Sequence, residues 1–257
     1  MANGNTKGHG RELSYTASVK EKVADVLYIL GEGVNFTNHE VVDAFVKILD
    51  KCQVPYTLLK DEPASGKILD LLGYREEAKA KAGDMAGRIR KTGCRTIVVS
   101  EPLVYDALKN DYPEWGINFE GIRILHVSEY LCELLQTGAL KLKKNNAAVT
   151  LADSEFLGRY NDLYEAPREV IKASAGDNFA EMQWHHRYLQ SAGDAAFTFD
   201  ENPFNRGEEL GRKISQKAEE IKAEVIVTLS ATAKNNIVAT TDLKVVDIAG
   251  FAAMQMV

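Results

Sequence analysis

The residues of this 257-residue chain that could do chemistry are few and scattered. His185 and His186 are adjacent and follow Glu181-Met182-Gln183-Trp184. In an extended segment neighbouring side chains face opposite ways, so one core and one surface histidine are expected, not a shared metal ion. His126 ends a strand-like run and is expected to pack or to hydrogen-bond. Gly31-Glu32-Gly33 follows an apolar run but lacks the third glycine of a dinucleotide fingerprint. Neither a Ser-His-Asp spacing nor a P-loop is present. Cys52, Cys94 and Cys132 are far apart, without a paired spacing, so small apolar packing is expected of each. Glu32, Glu101 and Glu155 stand in polar breaks after apolar runs. Grouped carboxylates can bind a hard cation such as magnesium or manganese, or share a proton at raised pKa. The plainer expectation is that they face solvent, or pair with Arg or Lys in a collapsed pocket.

The elements that must position these residues alternate. Apolar β-rich runs fall at 23–31, 56–59, 96–100, 123–127, 147–152 and 224–230, and KVVDIAGF closes the chain. Helical spacing fills the intervals. Val42, Phe45, Val46 and Leu49 repeat after a cap at Thr37 or Asn38, and 67–91 is helical with glycine interruptions. A helix covers 102–110, Ser128 is expected to cap the next one, Pro167 suits a first turn, and 206–222 is amphipathic. NFAEMQW (178–184) reads as extended. Alternating strands and helices predict an α/β fold with largely parallel sheets.

An internal repeat divides the chain. Glu32 and Glu155, Gly66 and Gly193, and Glu101 and Ser230 mark corresponding breaks at an offset of roughly 125 residues. The expected organisation is a flexible tail (1–15), a first Rossmann-like half (16–144) and a second (145–257). Each half presents loops at the carboxyl ends of its strands, where an open parallel sheet binds ligands.

Composition narrows the class. Hydrophobic residues make up 45% and charged residues 26%, the balance of a globular chain. The net charge of −6 gives no nucleic-acid footprint, and Lys141, Lys143 and Lys144 read as a solvated loop. No apolar run is long enough to span a bilayer, and the first residues lack an apolar leader core. The expected location is cytoplasmic, or peripheral to a membrane complex.

With these residues in view, the chain resembles the CCG-domain, or cysteine-rich-domain, proteins. These include the B-type component of heterodisulfide reductase and the iron–sulfur subunits of lactate, glycolate and flavoprotein-linked oxidoreductases. The resemblance runs from about Val23 to Phe251. It is strongest in FLGRYNDLYEAPREVI (156–171) with Asp153, and includes Glu181-Met182, 98–114 and 126–135. In that family cysteines of two duplicated halves hold iron–sulfur clusters through thiolates. Mapped here, those positions carry Glu32, Ala64, Ser65, Glu101 and Val104 in the first half. In the second they carry Glu155, Ser191, Ala192, Ser230 and Ala233. Alanine, valine and serine are not thiolate ligands, and glutamate offers only a hard oxygen.

The resemblance therefore implies a cluster-free and non-catalytic chain. It would have a structural or regulatory role beside a ferredoxin-like iron–sulfur subunit, a flavoprotein or a cluster-bearing paralogue. Clusters or flavin would sit in those partners, with no cofactor bound here. The alternative is a repurposed enzyme, small-molecule binder or metal site in the vacated pocket, using Glu32, Glu101 and Glu155, with Asp61 and Glu62 nearby. Arg159 and Arg168 are expected to fix the 153–168 loop by internal ion pairs, or to bind an anion. Phe197, Phe199 or Phe204 is expected to fill the second vacated site.

Overall fold

Continuous apolar runs of four or five residues make strands that are buried on both faces. The computed structural model describes residues 14–195 and 203–257, with side chains from 206 in the second stretch. The first sheet has strands β1 (Val26–Ile29), β2 (Tyr56–Leu58), β3 (Thr96–Val99) and β4 (Arg123–His126), all parallel, in the order β2-β1-β3-β4. Leu27 sits opposite both Thr57 and Ile97, and Val99 opposite His126. The second sheet has β5 (Val149–Ala152), β6 (Val225–Thr228) and β7 (Lys244–Asp247), parallel, in the order β5-β6-β7. A single parallel bridge from Val149 to Phe179 occupies the place that β2 holds beside β1. The fold is thus α/β, with two Rossmann-like halves wound in the same order.

The segment 178–184, expected to be extended, contributes only that bridge. Gly176–Asn178 forms a 3-10 turn, and Trp184 and His186 take positive φ values of 67° and 53°.

Helices cover the sheets. In the first half these are α1 (Glu32–Phe36), α2 (His39–Lys51), α3 (Lys67–Leu71), α4 (Arg75–Thr92), α5 (Pro102–Asp106), α6 (Tyr112–Glu114) and α7 (Val127–Gln136). The second half has α8 (Glu155–Asn161), α9 (Glu165–Ala175), α10 (Pro203–Glu220), α11 (Ala231–Val238) and α12 (Ile248–Gln255). In α2 the residues Val41, Val42, Phe45, Ile48 and Leu49 are buried at helical spacing. The predicted helix over 67–91 breaks at Gly73, where φ is +88°. A π-helical turn, Ala107–Asp111, follows α5. The cap of α7 is His126, not Ser128: its ring accepts the Ser128 N–H, and the Glu129 side chain returns to the His126 N–H.

The halves share one hydrophobic core, which runs from Val26 of β1 through Leu131 of α7 and Val170 of α9 to Phe251 of α12. The last helix of each half lies on the other half: α7 packs against α9, and α12 against α2. Ser14 and Tyr15, read by composition as tail, are packed; the Tyr15 hydroxyl donates to Asp43 at 3.0 Å and Ser14 donates to Asn35 at 3.1 Å. Among the described residues no helix is long and apolar enough to cross a membrane.

Candidate functional site

In the first sheet, β2 lies on one side of β1 and β3 on the other. The crevice of such a sheet opens where the order reverses, beyond the carboxyl ends of β1 and β3. Glu32 begins α1 just after β1, and Glu101 precedes Pro102 at the start of α5, just after β3. Both line a cavity of about 300 Å³ with Gly33, Thr37, Ile68, Leu103 and Thr232. The resemblance implies that these two carboxylates share one former cluster site, and the structure brings them together there.

Glu101 is 4% exposed, with no Arg or Lys bridging it among the described residues. Its Oε1 accepts the backbone N–H of Ala231, at the start of α11 in the other half, at 3.3 Å. Burial pushes its carboxyl up to about 8, and the charges of Asp194, Glu32 and Asp247 add to the rise. Glu62 accepts the N–H groups of Leu30 and Gly31 at 2.9 and 2.7 Å. Burial carries Glu62 up to about 7 despite those bonds. Burial also raises Glu32, against hydrogen bonds from its own N–H and that of Ser65. The expectation that these carboxylates face solvent or pair with Arg or Lys is therefore overturned for Glu101. Desolvation without a compensating cation favours the neutral acid.

Gly31 has its own reason here. At φ +82°, a Cβ on Gly31 would lie 2.5 Å from Cβ and Cγ of Glu101. The Gly31-Glu32-Gly33 fragment thus makes room for a carboxylate side chain, as a close approach of this kind requires. Ala64 and Ser65 lead into Gly66, which takes φ +90° against the Ala78 carbonyl. Ser65 is buried and Ala64 partly so. Val104 is buried on α5.

The second site repeats the first. Glu155 begins α8 and Ser230 caps α11, accepting the Ala233 N–H at 3.2 Å. The Ser191 hydroxyl donates to Glu155 Oε1 at 2.8 Å, while Glu155 Oε2 is buried without a hydrogen-bond partner. Ala192 and Ala233 are buried in a small cluster with Ile226 and Ile237. Glu155, Ser191, Arg159 and Arg206 line a cavity of about 850 Å³ with Phe156, Tyr160 and Leu71. Glu155 thus belongs to a different cavity from Glu32 and Glu101. Phe197, Phe199 and the side chain of Phe204 lie outside the described residues.

Two carboxylates that sequence reasoning missed complete the arrangement. Asp194 is buried and takes a hydrogen bond from Ser154; its Oδ1 has no partner. Burial and the Glu155 charge raise its pKa, against hydrogen bonds from Ser154 and Ser230. Asp247 caps α12 through the N–H groups of Ala249 and Gly250 at 2.8 and 3.1 Å. The strand-then-helix pattern KVVDIAG carried a signal for that cap. No local pattern marks Asp194.

His126 is the counterpart of Asp247 at the end of the first sheet. Its Nδ1 accepts the Ser128 N–H, so Nε2 donates to the Ser100 carbonyl at 3.1 Å. Burial pushes it down to about 4, so it is a neutral hydrogen-bonding residue, as its position predicts.

Arg168 is buried and bidentate to Asp153 at 2.9 and 2.7 Å and to Glu181 at 2.7 and 3.1 Å. It fixes the 153–168 loop, as expected from the sequence. Arg159 makes no ion pair among the described residues; it donates to the Leu189 carbonyl at 2.7 Å and faces the second cavity.

The histidine pair departs from expectation. Neither ring is buried, and their Nδ1 atoms are 2.5 Å apart. The strand geometry that would have separated them is absent, because the positive φ of His186 turns the two rings together.

Cys94 and Cys132 are buried and Cys52 is half-buried. None lies at the switch-point sites.

The fold and site define a two-half, doubly wound α/β protein with acidic crevices at the switch points of its sheets. No family model matches the chain. It is 31% identical over 166 residues to a probable iron–sulfur-binding oxidoreductase, FadF, of Bacillus subtilis, covering 63% of this chain and 23% of that protein. It is 33% identical over 159 residues to the EtfAB:quinone oxidoreductase of Syntrophomonas wolfei, covering 60% and 22%. With one component of the dihydromethanophenazine:CoB–CoM heterodisulfide reductase of Methanosarcina mazei it shares 26% over 167 residues, covering 63% and 41%. The matched region thus spans under a quarter of the first two relatives and about two fifths of the third. These relatives are oxidoreductase proteins, and they support the resemblance to the cysteine-rich-domain group.

Among solved structures, a hypothetical protein of Helicobacter pylori matches with a TM-score of 0.57 at 11% identity, over 95% of this chain and 52% of that one. That likeness speaks for the fold alone. An aspartate racemase of Picrophilus torridus aligns with a TM-score of 0.42 at 12% identity, over 89% of this chain and 91% of that one.

Proposed function

We propose that the chain is a cluster-free relative of the heterodisulfide-reductase-B-like proteins, with a structural or regulatory role in an iron–sulfur or flavin electron-transfer complex. The observation that carries this reading is Glu101. Where the resemblance implies a thiolate ligand, this side chain is a buried carboxyl tied to Ala231 of the other half. Raised to about 8, this carboxyl keeps its proton at neutral pH, and a metal ion would have to displace that proton to bind. The residue serves cohesion between the halves. Ala64, Ser65, Val104, Ser191, Ala192, Ser230 and Ala233 add no thiolate.

Redox chemistry then belongs to the proteins it binds: a ferredoxin-like iron–sulfur subunit, a flavoprotein or a cluster-bearing paralogue. An anoxic pull-down of the tagged chain from its own host, with mass spectrometry and iron analysis, tests this. The expected result is co-purified iron–sulfur or flavin subunits and no iron in the chain once it is separated. A chain that emerges alone, or that holds iron by itself, overturns the reading.

The two cavities favour a second reading. At about 300 and 850 Å³ they are of the size that takes small ligands. Glu155, Arg159 and Arg206 would give the larger one both signs of charge. Native mass spectrometry of the chain from its host would show a bound small molecule if this reading holds.

A further inference from the structure

We propose that Glu181, His185 and His186 form a site for one divalent transition-metal ion of the zinc class, away from the switch-point crevices, with Glu165 orienting the His186 ring. Among the described residues these three bring one ligand atom each to within 4.8 Å of one another; Glu32, Glu62 and Glu101 form no such set. Two imidazoles and a carboxylate suit zinc, and the donors that hard cations prefer would be all oxygen.

Four observations converge. The first is the pair of Nδ1 atoms at 2.5 Å, which meet at that distance across one shared proton, with both lone pairs aimed at one point where an ion could replace it. About a tetrahedral zinc, ligand atoms stand about 3.3 Å apart, so the rings need to open by about 0.8 Å, within reach of side chains that are not buried. The second is the far nitrogen of His186: Nε2 lies 3.0 Å from Glu165 Oε1. A histidine that ligates through one nitrogen commonly donates its other N–H to a carboxylate, which fixes the ring.

The third is charge. Asp153, Glu165 and Glu181 surround the site, and Asp153 also accepts the His186 N–H at 3.0 Å. Arg168 is the one cation bonded to this group among the described residues, through Asp153 and Glu181. Three carboxylates against one guanidinium leave two negative charges, which a divalent ion balances. Both Glu181 oxygens already accept from Arg168, but a carboxylate has about four lone-pair directions, so acceptor capacity remains.

The fourth is the surroundings. Both histidines line a cavity of about 590 Å³ with Tyr164, Trp184, Arg187 and Tyr188. The Tyr164 hydroxyl is buried without a hydrogen-bond partner, and its ring stands 5.3 Å from that of His186. Three protein ligands leave a position open for water or a small ligand, as in catalytic rather than closed structural zinc sites.

The test uses the full chain, stripped with chelator. Zn²⁺ affinity and stoichiometry are read by competition with a chromophoric chelator. Co²⁺ is read by visible absorption and by quenching of Trp184 in a Trp115→Phe background. The expected result is one Zn²⁺ per chain, a Co²⁺ band and Trp184 quenching. His185→Asn/His186→Asn should lower Zn²⁺ affinity by at least about 100-fold, and Glu165→Gln by about 10-fold. Both variants leave the Arg168 pairs intact, and an unchanged thermal transition without metal shows that they fold. No stoichiometric Zn²⁺ binding, or binding that survives the double histidine variant, overturns the proposal.

Discussion

Glu101→Gln isolates the contribution of one buried carboxyl. In the folded chain this group is 4% exposed and its carboxyl is raised to about 8. Unfolded, it returns to the ordinary value near 4.5. Between those values the folded state holds a proton that the unfolded state has released. The native state binds more protons, so stability falls as pH rises through this window, and the contribution levels off on either side. At about 1.4 kcal/mol per pH unit, the full window is worth on the order of 5 kcal/mol as an upper bound. Relaxation and water entry reduce that to roughly 2–4 kcal/mol.

Glutamine keeps an acceptor for the Ala231 N–H and cannot ionise. The variant should match the wild type within about 1 kcal/mol at pH 5, where the wild-type carboxyl is neutral. It should exceed the wild type by roughly 2–4 kcal/mol at pH 9. Urea unfolding at unit pH steps from 5 to 9, followed by circular dichroism, measures the difference. Glu62 and Asp194, whose pKa values are also raised, titrate in both proteins and leave a shared residual slope. Parallel stability curves for the two proteins would refute the reasoning, because they would show that Glu101 is ionised in the fold across the whole range.

Three further outcomes follow from the packing. Lys67→Met should destabilise the chain by about 3–5 kcal/mol in denaturant titrations, because Lys67 Nζ bridges Asp106 at 2.6 Å and Asp111 at 2.7 Å in a largely buried setting. Adding Asp106→Asn should recover part of that loss, and no recovery would argue against a charge effect. Gly31→Ala should cost about 1–3 kcal/mol, since the new Cβ meets Glu101 at 2.5 Å and φ is +82°. The cost should fall in a Glu101→Ala background, and equal costs in both backgrounds would place the strain elsewhere. Alkylation by iodoacetamide at pH 7.5 should be slow at every thiol of the folded chain. Burial and the hydrogen bond to Glu169 push Cys132 up to about 12, and burial also raises Cys94 and Cys52. Peptide mapping should find half-buried Cys52 modified first, and rapid labelling of Cys132 would contradict the structure.

The alternation of strands and helices, the parallel sheets and the duplicated order were legible in the sequence, because each rests on local periodicity and on breaks between short apolar runs. So were the meeting of Glu32 with Glu101, through the family resemblance, and the loop-fixing role of Arg168. Other features depend on segments brought together from far along the chain. Glu101 reaches Ala231 of the other half only because the halves pack with their switch points facing. That burial, and not the residue type, sets its protonation. Asp194 carries no local signature, and its state is decided first by burial and then by Glu155, Ser154 and Ser230 around it. His185 and His186 look separable by strand alternation, yet one positive φ turns both rings to one side. Periodicity reports how a residue lies relative to its neighbours in sequence. Desolvation, charge and the approach of ligand atoms depend on neighbours in space, and those only the tertiary structure decides.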